Sequence, residues 1–97
     1  MDYIARIELH GDRSMEDYVL LQAELAKAKF YATVIGGSGA SPLQLPPGTY
    51  YCYGTYPHVN DAHAAIVNAL AAIPLTASVV VGAVVAWQSS NLPSPAK

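Results

Sequence analysis

Tyr3-Ile4-Ala5-Arg6-Ile7-Glu8-Leu9-His10 alternates two sets of side chains, and its reading decides the architecture. Tyr3, Ala5, Ile7 and Leu9 fall on one side, Ile4, Arg6, Glu8 and His10 on the other, which is the period of a half-buried strand. Gly11-Asp12 ends it. Ser14-Met15-Glu16-Asp17 then reads as a capping box with Asp in the usual Glu place. Helical spacing follows through Tyr18, Leu21, Leu25 and Ala28, with acids at its start and Lys27 and Lys29 at its end, as the helix dipole favours. Residues 30–35 are β-branched and aromatic and predict a second strand. A Gly-rich connection (36–42) and the turn Pro46-Pro47-Gly48 lead to a third strand at 49–56.

Asn60 is placed to cap a second helix reaching Ile73, with Ala62, Ile66, Ala69, Leu70 and Ile73 as its inner stripe. Residues 76–87 are rich in valine and predict the fourth strand. The order βαββαβ predicts an α+β fold, a ferredoxin-like sandwich with a four-stranded antiparallel sheet and two helices on one face. Residues 1–88 are expected to form this single domain, and 89–97, with two prolines, a flexible C-terminal tail.

Composition narrows the function classes. The chain has 97 residues, 53% hydrophobic and only 12% charged, which excludes a disordered protein. A thin charged surface leaves apolar area to cover, so a homodimer or a protein partner is expected. The net charge of -2 and pI near 5.8 exclude binding to nucleic acid by bulk electrostatics, so any RNA contact has to be local, and DNA is not expected. Cys52 is the only cysteine, which rules out an intrachain disulfide and a cysteine zinc site. The N-terminus lacks the basic-then-apolar order of a signal peptide, so a cytoplasmic location is expected. Residues 64–87 carry no charge and have the length of a membrane span. Asn68, Pro74, Thr76 and Ser78 interrupt them, so they read as helix, turn and strand, with no membrane contact.

The chemistry-bearing residues gather on the outward side of the first strand. Arg6, Glu8 and His10 stand at i, i+2 and i+4, where Glu8 and His10 can move protons and Arg6 can meet phosphate charge. The same pattern also describes an ordinary solvated strand face. In the third strand, Tyr51 and Tyr53 share one side while Tyr50, Cys52 and Tyr56 share the other, so one pair of rings is available for base stacking. Tyrosines at a protein interface give the same signature. Gly36-Gly37-Ser38-Gly39 has no following Lys-Ser/Thr and opens no helix, so it is not a phosphate loop. His58 and His63 do not share a helical face, and no metal centre is expected from them. No cofactor is expected; a Mg²⁺ shared by Glu8 and its symmetry mate is the one cation the pattern accommodates.

Tyr3-Ile4-Ala5-Arg6-Ile7-Glu8, Ala28-Lys29-Phe30, Thr33-Val34-Ile35, Pro42-Leu43-Gln44-Leu45 and Thr49-Tyr50-Tyr51 together resemble the GhoS group of antitoxin endoribonucleases. That group is related in fold to the small CRISPR-associated nucleases of ferredoxin-like topology. The resemblance spans roughly residues 3–70. It implies cleavage of RNA, in that group the messenger of a membrane toxin, with an acidic residue near the end of the first strand as the catalytic candidate. Glu8 stands at that place, where the group carries Asp. Gln22, Glu24 and Lys27 stand where the group places arginines along its first helix.

Two functions follow as expectations. The first is a small endoribonuclease with Glu8, His10 and Arg6 as catalytic candidates and Arg13, Tyr51 and Tyr53 as RNA-binding ones. The second is a non-catalytic binding protein of phage or mobile-element origin that dimerises or takes a protein partner through its open sheet.

Overall fold

A computed structural model describes residues 1–11, 14–35, 42–73 and 75–86. The 3–10 alternation becomes β1 (Asp2–Leu9), the middle strand of a three-stranded antiparallel sheet. β2 (Thr33–Ile35) and β3 (Pro42–Gln44) form a separate two-stranded hairpin. β4 (Thr49–Cys52) and β5 (Ala77–Val84) flank β1, so the large sheet runs β4-β1-β5. The helices are α1 (Met15–Lys27) and α2 (Val59–Ala71).

Tyr3, Ala5, Ile7 and Leu9 are buried, and they form one cluster with Leu21 and Leu25 of α1 and Ala62, Ile66 and Ala69 of α2. Both helices therefore cover the same face of the large sheet, and Tyr50 and Cys52 of β4 join that core from their own inward side. The fold is thus α+β with antiparallel sheets and helices on one side, as expected.

The four-stranded sheet is where expectation and structure differ. The segment after α1 reaches β4 at Tyr31, which exchanges two backbone bonds with Tyr51 (2.9 and 2.8 Å). One residue later the chain turns away, because the Ala32 carbonyl accepts from the Leu45 amide (2.9 Å) and Thr33 begins pairing with Gln44. The backbone groups that would have lengthened a fourth strand are satisfied by this hairpin instead. Pro42 opens β3, in a stretch expected to be loop. The third strand ends at Cys52, earlier than the tyrosine run suggested.

Ser14 caps α1, with its hydroxyl accepting from the Asp17 amide while the Asp17 carboxylate accepts from the Ser14 amide. The capping box therefore works with Asp, whose shorter reach still spans one turn. At the other end Phe30 N–H donates to Leu25 O (2.9 Å) and Lys29 N–H to Ala26 O (3.0 Å). These two bonds close a Schellman motif, a geometry that asks for a left-handed residue at Lys29. Lys29 has φ 69°, and an L side chain there is strained. Lys29→Gly is expected to raise stability by about 0.5–1 kcal/mol, measured by denaturant unfolding. α2 begins at Val59 with His58 as its N-cap, two residues before the expected Asn60 cap, and no side chain caps it.

The uncharged stretch at 64–87 resolves into the C-terminal part of α2 followed by β5, and no described helix is long and apolar enough to cross a membrane. The tail at 89–97 and the glycine run at 36–39 lie outside the described residues.

Candidate functional site on the open sheet face

The face of the sheet away from the helices is divided in two. Where β1 begins, the hairpin packs over it: Val34, Leu45 and Tyr51 form a second cluster, with Leu43 and Val84 against them. Toward the end of β1 the face is bare. Arg6, Glu8 and His10 are exposed there, and so are Thr76, Ser78 and Val80.

Register brings these residues together. Glu8 pairs directly with Ser78 and Arg6 with Val80, across the β1–β5 ladder. His10 N–H donates to the Thr76 carbonyl (2.9 Å), which carries the pairing beyond the strand end. The imidazole then lies along β5: Nδ1 is 3.2 Å from Thr76 Oγ1 and Nε2 is 2.8 Å from Ser78 Oγ. Two hydroxyls, each able to donate or accept, suit the ring in either tautomer and in its charged form. Glu8 is within one residue pair of the ring, at a strand spacing of about 6.6 Å along β1. Among the described residues nothing bonds the Glu8 carboxylate.

Arg6 has a structural task. Its Nη1 donates to the Pro47 carbonyl of the Pro46-Pro47-Gly48 turn. Gly48 N-terminal to β4 sits at φ 82°, and a Cβ there would lie 2.7 Å from the Ile7 carbonyl as well as against the Arg6 guanidinium. The Ile7 amide also donates to Gly48 O (2.7 Å), so the turn is strapped to β1 and only glycine fits. Part of the guanidinium remains available on the exposed face, since Arg6 has five donors and, among the described residues, one of them is bonded, to Pro47 O.

The tyrosines fare unequally. Tyr51 is 3% exposed, its ring packed under the hairpin and its hydroxyl donating to Asp2 Oδ2 (2.7 Å). It offers no surface to a base. Tyr53 is 42% exposed, yet its ring leans on Tyr51 (centroids 4.7 Å apart) and its hydroxyl accepts from the Ile35 amide (2.9 Å). Tyr53 can present one ring face; the expected two-ring stacking platform is not formed. Arg13 lies outside the described residues.

Thr76 and Ser78, which hold the imidazole, were visible in the sequence only as polar interruptions of an apolar run. Their meaning depends on register with residues 66 and 68 positions away. Among the described residues no group of three or more His, Cys, Asp or Glu side chains converges as a metal ion requires. A Mg²⁺ on this face would therefore have Glu8 as its one anionic ligand from these residues.

On the helix side of β4, burial pushes the Tyr50 hydroxyl up to about 12, with nearby Tyr18 adding to the rise and Arg6 opposing it. A folded-state value above the unfolded one gives stability that is present below pH 10 and lost as pH rises through 12. Tyr50→Phe is expected to flatten the loss of thermal stability between those pH values, measured by melts across the alkaline range.

No family model, curated protein or solved structure matches the chain.

Proposed function

We propose that this chain is a small endoribonuclease of the GhoS kind, built on a ferredoxin-like βαββαβ frame. On this reading the Tyr31 segment is the fourth strand, cut short, and β3 is an inserted hairpin. The order Tyr31-β4-β1-β5 and the placing of both helices on one face support that frame.

The observation that carries the functional reading is a carboxylate that no described residue bonds, on the same strand face as an anchored imidazole. Glu8 and His10 share the bare part of the sheet, and Thr76 and Ser78 fix the ring. In RNA the 2′-hydroxyl is the built-in nucleophile. Glu8 takes its proton, the 2′ oxygen bonds to the adjacent phosphorus, and the P–O5′ bond breaks. Protonated His10 exchanges its bond to one of the two hydroxyls for one to the departing O5′ and gives it the proton, leaving a 2′,3′-cyclic phosphate and a 5′-hydroxyl. Arg6, two residues before Glu8 on the same face, meets the charge that develops on the phosphoryl oxygens. DNA lacks the 2′-hydroxyl and is not cut. Incubation of the protein with a mixed pool of labelled RNAs, with Mg²⁺ and with a chelator, is expected to give discrete cuts ending in cyclic phosphate. A well-folded protein that leaves every RNA whole would overturn the reading.

A second reading is favoured by one observation. Val80 is 71% exposed on the bare face, opposite Arg6, and Tyr51 is withdrawn from it. A binding protein that dimerises through this face would cover that valine. Val80→Asp then breaks the dimer, which sedimentation would show as halved mass. A wild-type protein that is monomeric at all concentrations counts against it.

A further inference from the structure

A groove of about 320 Å³ opens between the start of α1 and the turn before β4. Met15, Tyr18, Val19, Gln22, Gln44 and Tyr50 line it, and Pro47 and Gly48 close one side. Its volume is at the small end of ligand sites, which run from about 300 to 1,000 Å³, so it takes one ring system and not a chain of them. Among the described residues no charged side chain lines it, which argues against a phosphate or carboxylate as the occupant and favours a neutral, flat, partly polar one.

The polar groups are few and specific. Gln22 has no bonding partner among the described residues, so its amide offers both donor and acceptor to the groove. Gln44 Nε2 is committed to Ala32 O (3.2 Å), which leaves the Gln44 carbonyl oxygen as an acceptor. Tyr50, held protonated through the ordinary pH range, is a donor with no described partner. Met15 and Val19 are strongly exposed and supply apolar contact. A donor-acceptor pair from an amide beside aromatic and apolar walls is how proteins read the edge of an unstacked base.

Position gives the second argument. Pro47 and Gly48 belong to the groove and, on their other side, hold Arg6. Arg6 is two residues from Glu8 on the bare face, so a strand leaving Glu8 and His10 passes Arg6 and the turn before it reaches the groove. We propose that this groove binds a single nucleobase of an RNA strand that rounds the sheet edge at the Pro46-Pro47-Gly48 turn, with its phosphodiester over Glu8 and His10 on the opposite face. The inference rests on the RNA-cleavage reading and adds a place where base identity is chosen.

The test uses Glu8→Ala protein with uncuttable 2′-O-methyl hexanucleotides, each of a single base, and reads binding by fluorescence anisotropy. One composition is expected to bind at least about tenfold more tightly than the weakest. Gln22→Leu, an exposed position whose change spares the core, is expected to cut that preference below about threefold. Equal binding of all four compositions, or a preference untouched by Gln22→Leu and Val19→Asp, would overturn the proposal. The two readings fail separately. A wild-type protein that cuts with no base preference sinks the groove and leaves cleavage standing. A groove-dependent preference in a protein that cuts nothing supports the groove and sinks cleavage.

Discussion

On the proposed reading, Glu8→Gln is expected to lower RNA cleavage by about 100-fold or more and to leave the melting temperature within a degree or two of wild type. The size follows from the chemistry: glutamine keeps the shape of the side chain and cannot accept the 2′-hydroxyl proton. The unchanged fold follows from the structure. Glu8 is exposed, no described residue bonds its carboxylate, and its neighbour across the ladder, Ser78, is already bonded to His10. His10→Ala is the companion change, expected to cost about as much, since it removes the proton for the leaving oxygen. Cleavage rates under single-turnover conditions and far-ultraviolet melts check both. A loss of activity that tracks a loss of fold would assign Glu8 a structural role instead.

Ile66→Ala is the substitution expected to damage the fold most, by about 2–5 kcal/mol. Ile66 is 0% exposed and lies in the cluster that joins α2 to β1. Its buried neighbours on the same helix are Ala62 and Ala69, and β1 offers Ala5 in the same cluster. These alanines have no rotamer with which to fill a vacated space, so the site collapses only in part and a cavity penalty adds to the lost burial. For a chain of this size the midpoint falls by about 10 °C or more.

Much of this was legible in the chain. The alternation at 3–10 assigned the side chains of residues 3–9 to their observed faces, because a half-buried strand is the one element whose burial has period two. The capping box and the charge gradient marked α1. β3 was not legible: three residues opened by a proline are too short for any period, and Pro42 pairs only because the hairpin brings Ile35 opposite it. Parity correctly put Tyr51 and Tyr53 on one side, but parity is silent on what covers that side. The hairpin lies over Tyr51, and only the fold shows it. Likewise Arg6 looked like a free phosphate contact until the turn at Pro47 was seen to occupy part of it. That Glu8 and His10 share the outward side of β1 could be read from sequence; the hydroxyls that anchor the ring needed the β1–β5 register.

The proposed endoribonuclease depends on Glu8 of the bare sheet face above all. The most direct measurement is a side-by-side incubation of purified wild-type and Glu8→Ala protein with the same labelled RNA pool. Discrete cuts by wild type that vanish in an equally folded variant are the predicted result. Identical cuts from both proteins would contradict it.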